Sequence, residues 1–172
     1  DIDLLFLSPY RQTGWTKSIV ESVLYILWDL KFKVGHSSRT ISDCVQLCLD
    51  DLTIRTSMLE KRYLCGDKDL FDQLETTLRK KVFSRKTSSF VEGKLSERTE
   101  RHLKHANARY ILEPNIKEGK GGLRDLHTLY WISKYIYKTD NIHSLIEKNI
   151  FKKRELEIFT EAENFLWFIR CK

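Results

Sequence analysis

The chain opens Asp-Ile-Asp-Leu-Leu-Phe-Leu, alternating carboxylate and apolar side chain before it becomes wholly apolar. With Pro9 closing it, this run predicts a strand whose later half is covered on both faces. From Trp15 the period changes. Ile19, Val20, Val23, Leu24, Leu27 and Trp28 fall at helical spacing and predict a buried amphipathic helix to about Lys31. The stretch Lys-Phe-Lys-Val-Gly-His-Ser-Ser-Arg-Thr (31–40) alternates briefly around Gly35 and reads as a second strand. Thr40 or Ser42 then caps a helix that carries Asp43 in its first turn. A further helix starts at Asp51 and is expected to stop at Gly66.

From Asp67 onward the periodicity is helical. One helix covers 68–83. A long polar one covers 88–106, with Glu97 and Arg101 spaced as an i,i+4 pair. Pro114, Gly119, Gly121 and Gly122 interrupt the pattern, which resumes at Leu123. Two more helices follow, at 142–148 and 152–172. On the helix from Leu123, residues Asp125, Leu129, Ile132 and Ile136 share one face. Trp131, Tyr135, Phe165, Trp167 and Phe168 read most simply as bundle core. The fold class is therefore α+β and mostly helical: a small α/β piece over 1–66, then a helical bundle over 67–172. The apolar, mid-helix ending and the abrupt start are expected of a segment cut from a longer polypeptide.

Composition narrows the class. Apolar residues make up 41% and charged residues 31% of 172, which suits a globular rather than a disordered chain. No apolar run approaches the roughly 18 residues of a membrane span, and no stretch reads as a signal peptide. Four cysteines without a C-x-x-C are expected to be reduced, mostly buried thiols of a cytoplasmic protein. The net charge of +6 suits a handler of a polyanion such as a nucleoside triphosphate, and equally a merely basic surface. Basic residues are interleaved with acids and no RNA-binding strand signature occurs, so nucleic acid is not an expected partner.

Two stretches carry candidate chemistry. Asp1 and Asp3 point to the same side of a strand, where two like charges repel unless a cation or proton lies between them. Magnesium, an oxygen-seeking ion that keeps substrate phosphates in its shell, would serve there. The alternative is a pair of solvated aspartates. The second stretch, Glu-Pro-Asn-Ile-Lys-Glu-Gly-Lys-Gly-Gly-Leu-Arg-Asp (113–125), leads glycines directly into a helix start, with Lys117, Lys120 and Arg124 adding positive charge. It reads either as an anion-facing surface built on the first helix amides or as a structural turn capped by Arg124 and Asp125. It is neither a P-loop nor a dinucleotide fingerprint. Asp125 heads an apolar stripe, an odd place for a charge without a partner. His102 and His105, on a polar helix, read as solvated.

In order, the segments 1–7, 30–40, 51–67 and 113–131 resemble the bacterial PII uridylyltransferase/uridylyl-removing enzymes, over nearly the whole chain. The Gly-Gly-Leu-Arg-Asp stretch also resembles its counterpart in the glutamine synthetase adenylyltransferases. The resemblance implies a truncated polymerase-β-like nucleotidyltransferase core over 1–66 followed by a helical domain. It implies an Mg2+-dependent transfer of UMP from UTP to a tyrosine of the PII nitrogen-signalling protein, with release of pyrophosphate. Asp1 and Asp3 match that family's metal-binding carboxylates, which makes them the candidate catalytic pair. His36, Arg39, Lys117, Gly121, Gly122, Arg124 and Asp125 are the candidates for the nucleotide or acceptor cleft.

The chain also departs from the family pattern. The glycine-rich helix start that precedes the aspartates in this superfamily is missing, and Lys120 stands where proline is usual. The strand expected to bring a third carboxylate has His36 instead, leaving Asp51, Asp125 or none. The segment alone is expected to be inactive. The other readings are an adenylyltransferase-like enzyme and a non-catalytic module that binds a partner through its helices.

Overall fold

The computed structural model describes residues 2–11, 13–105, 114–139 and 144–172. The chain forms two compact units, Asp1–Arg85 and Lys86–Lys172. The fold is α+β with most residues in helices, as the periodicity predicts.

In the first unit, β1 (Ile2–Leu7) and β2 (Val34–Arg39) pair in parallel, with Asp3 opposite Gly35 and Leu7 opposite Arg39. Parallel pairing needs a crossover, which α1 (Gly14–Asp29) supplies. Thr13 starts α1 through a capping box with Thr16, and Lys31, at φ 65°, ends it. Two expectations fail here. Leu4 to Leu7 are half-buried rather than enclosed on both faces, because the described sheet has only two strands. Helix α1 is not a buried helix either: Leu24 is its sole buried residue, while Trp15, Tyr25 and Ile26 are more than half exposed.

Helix α2 (Ile41–Asp50) begins at a capping box between Thr40 and Asp43. It turns straight into α3 (Leu52–Ser57) through Asp51, which terminates the one and N-caps the other. Arg55 reaches back to the carbonyls of Cys48 and Leu49 at 2.6 and 2.9 Å, satisfying the open end of α2. The predicted helix to Gly66 stops at Ser57. The chain then tightens into turns, the amides of Leu59 and Glu60 donating to the carbonyls of Thr56 and Ser57 at 3.0 and 3.1 Å. Helix α4 (Lys68–Lys81), N-capped by Asp67, buries Leu74 and Leu78 one turn apart and packs on α2. It therefore sits in the first compact unit, which extends to Arg85. Cys44 and Cys48 are fully buried and all four thiols are free, but Cys65 and Cys171 are exposed.

The second unit holds α5 (Thr87–Lys104), α6 (Leu123–Tyr137), α7 (Ser144–Glu147) and α8 (Lys153–Arg170). Its core stacks the Phe90 ring on Tyr135, centroids 4.0 Å apart, among Leu123, Trp131, Leu145 and Leu156. The buried face of α6 runs through Thr128, Trp131 and Tyr135, whereas Leu129 and Ile136 of the expected stripe are exposed. Of the five aromatic residues assigned to the core, Trp131 and Tyr135 are there. Phe165 and Phe168 are about 60% exposed and Trp167 is 40% exposed. Among the described residues, no helix is long and apolar enough to cross a membrane.

Candidate functional site

The predicted site residues fall in both units, and each unit has its own geometry. In the first, Asp1 lies outside the described residues. Asp3 is exposed on β1, and its carboxylate lies over Gly35: a Cβ built on Gly35 would collide with Asp3 Oδ1. The glycine therefore keeps space open for this carboxylate. Alternation along β2 puts Ser37 and Arg39 on the same side as Gly35 and sends His36 to the other. His36 meets the Trp28 ring of α1 edge-on at 6.4 Å and lines an open groove of about 250 Å³ with Lys17, Glu21 and Leu24. Asp3 and Arg39 thus share a face that His36 does not.

Arg39 sits where its charge helps hold the Asp43 and Asp51 carboxyls below their usual range. Larger causes act on each: the Thr40 hydroxyl on Asp43, and the Ile54 amide on Asp51. Asp51, one candidate third carboxylate, uses Oδ1 to accept from the amides of Thr53 and Ile54 at 2.6 and 3.0 Å. Among the described residues, no group of three or more His, Cys, Asp or Glu is placed to hold a metal. The donors that fit Mg2+ are carboxylate oxygens, and Asp3 presents them beside an unobstructed backbone.

In the second unit, Lys117, Gly121, Gly122, Arg124 and Asp125 come together in one tight turn. Asn115 Oδ1 accepts from the amides of Lys117 and Glu118 at 3.1 and 2.8 Å. Gly121 takes φ 79°, a conformation that favours glycine. At Gly122 the reason is space, since a Cβ would come within 2.5 Å of Ile116 O and 2.9 Å of Gly119 O. The first amides of α6 are already engaged: Leu123, Arg124 and Asp125 donate to the carbonyls of Ile116, Lys117 and Gly122 at 3.0 Å. The anion-facing helix start expected from the sequence is closed by the chain's own carbonyls.

Asp125 fastens this turn to α5. It accepts from Gly121 N at 2.8 Å, from Arg101 Nη2 at 2.5 Å, and meets His102 Nε2 at 2.9 Å from both oxygens. Burial pushes its carboxyl up, but the Gly121 amide, Arg101 and His102 outweigh that, and the net shift is downward. Two expectations are corrected here. Arg101 pairs with Asp125 and Glu118, not with Glu97, whose partner is Lys94 at 2.5 Å. His102 is a bonded, largely buried group rather than a solvated one. The only sequence sign of these missed partners was Asp125 itself, a charge at the head of an apolar stripe.

A family model described as GlnD PII-uridylyltransferase matches residues 89–172. Over 171 residues the chain is 52% identical to the bifunctional uridylyltransferase/uridylyl-removing enzyme of Ruegeria pomeroyi, a match that covers 99% of this chain. The chain is similar to the PII-uridylyltransferases. It spans 19% of the length of that relative. The residues matched by the PII-uridylyltransferase model include the glycine turn and its fastening by Arg101, His102 and Asp125, while Asp3, Gly35, His36 and Arg39 lie outside that model's match, in the segment aligned to the Ruegeria enzyme. No solved structure matches the chain.

Proposed function

We propose that this chain is part of a protein-modifying nucleotidyltransferase, in which residues 1–66 contribute a polymerase-β-like core and the helices after them a supporting domain. The full enzyme would transfer UMP from UTP to a tyrosine of the PII signalling protein in the cytoplasm. The tyrosine oxygen forms a bond to the α-phosphorus, the bond to the bridging oxygen breaks, and pyrophosphate leaves while the hydroxyl proton is lost to a base. Asp1 and Asp3 would hold Mg2+, which when bound supplies charge neutralisation to the triphosphate. Arg39, on the face of Asp3, would add a fixed positive charge. The observation that carries this reading is the 52% identity across nearly the whole chain. The space that Gly35 leaves for the Asp3 carboxylate supports it.

The test is a calorimetric titration of UTP, with and without Mg2+, into a polypeptide extended to the span of its relatives. Metal-dependent binding that disappears in the Asp1→Asn/Asp3→Asn double variant supports the proposal. Equal affinity in the double variant would overturn the metal assignment and leave a partner-binding module.

A further inference from the structure

Glu118 sits where three cations converge. Arg101 Nε lies 3.9 Å from its Oε2, and Arg124 Nη2 and Lys117 Nζ lie 3.5 and 3.9 Å from its Oε1. All three distances exceed the roughly 2.7–2.9 Å of a charge-assisted N–H···O bond. The shortfall shows at Arg101. Its Nη2 is bonded to Asp125, but its Nε is buried and donates to nothing. A second buried donor without an acceptor is Trp131 Nε1, on the ring that carries the Arg124 guanidinium at 5.4 Å and Lys94 Nζ at 5.0 Å. Buried donors left unmade are costly, so a place that keeps two beside converging cations is short of acceptor oxygens. A carboxylate offers two oxygens in one plane. A phosphate offers three or four in a tetrahedron and carries up to twice the charge.

We propose that Arg101, Lys117 and Arg124 bind a phosphate group, for which the Glu118 carboxylate is the internal stand-in. The incoming group displaces Glu118, accepts from Arg101 Nε and Arg124, and is neutralised by Lys117. Asp125 keeps its bonds to Gly121, Arg101 and His102, and so holds Arg101 in place. Side chains do this work, because the first amides of α6 are bonded to backbone carbonyls. All these residues belong to the second unit, so the proposal stands apart from the Asp1–Asp3 metal assignment.

The phosphate could be free, part of pyrophosphate, or part of a nucleotide. Mg2+-free calorimetric titrations of inorganic phosphate, pyrophosphate and UTP into the 172-residue chain distinguish these sources. At least one probe should bind at a single site, and the tightest names the source. Glu118→Gln should tighten that binding about tenfold, the size of one charge-assisted bond, and Arg124→Gln or Lys117→Gln should weaken it by a similar factor. The proposal is overturned if no probe binds the parent chain or Glu118→Gln, if Glu118→Gln binds no tighter than the parent, or if both cation variants bind unchanged. Since no metal is present, failure here leaves the Mg2+–UTP experiment unaffected, and the reverse also holds.

Discussion

At the scale of single residues, Asp125 and Gly35 do most to shape the candidate sites. Asp125→Asn keeps the shape but removes the charge that Arg101 faces, and should cost about 1–3 kcal/mol of stability at neutral pH. Its carboxyl lies below the ordinary 3.8 in the folded chain. Its contribution is therefore complete above that value and is lost as pH falls through the lowered folded-state pKa. The gap between the urea midpoints of parent and variant should be widest near neutrality and close in acid. Gly35→Ala behaves differently, because the obstacle to its methyl is the far end of a flexible side chain. Stability should change by less than about 1 kcal/mol while Mg2+-dependent UTP binding falls, since Asp3 must swing away. Burial pushes the Cys48 thiol up to about 11. A small aromatic disulfide reagent should therefore modify two thiols, Cys65 and Cys171, in the folded chain and all four in urea. The sequence pointed to Asp3 as one of two like charges on the same side of a strand, and to Asp125 as a charge heading an apolar stripe. It could not point to Arg101 and His102, which lie 24 and 23 residues from Asp125 on a helix that otherwise reads as solvated.

At the scale of elements, the glycine turn shows two reasons for one residue type. Gly121 needs its φ, whereas Gly122 needs the absence of a side chain against three backbone carbonyls. Gly122→Ala should destabilise the second unit by about 2–3 kcal/mol, because backbone cannot yield as a side chain can. Urea denaturation followed by circular dichroism checks this; a loss under about 1 kcal/mol would mean the turn re-forms around the methyl. The order and type of the elements were legible from periodicity, caps and glycines, and Thr40, Asp43 and Asp67 act where such residues should. The failures also have physical causes. Helix α3 ends early because the chain tightens into i→i+3 turns, with the Leu59 and Glu60 amides bonded to the Thr56 and Ser57 carbonyls, something periodicity does not register. The first amides of α6 are closed because the preceding turn folds its own carbonyls onto them, and no spacing rule foresees that.

At the scale of the whole molecule, hydrophobic spacing gave the helices but not what covers them. Helix α1 has the apolar repeat of a buried helix, yet Trp15, Tyr25, Ile26 and Trp28 are exposed, and the end of α8 exposes Phe165 and Phe168. Periodicity reports that a helix has an apolar face; burial also depends on neighbours elsewhere in a chain. The isolated 172-residue chain should accordingly bind an apolar fluorescent dye while still folded, and Trp15→Lys/Tyr25→Lys should reduce that binding measurably. The same distribution gives the molecule a built-in optical asymmetry. Of its four tryptophans, Trp15 and Trp28 in the first unit and Trp167 in the second are at least 40% exposed, and Trp131 alone, at 6%, is buried. A red shift of indole emission on heating will therefore track loss of the second unit and be nearly blind to the first. Any lag between that colour change and the loss of ellipticity would separate two melting events in a single sample.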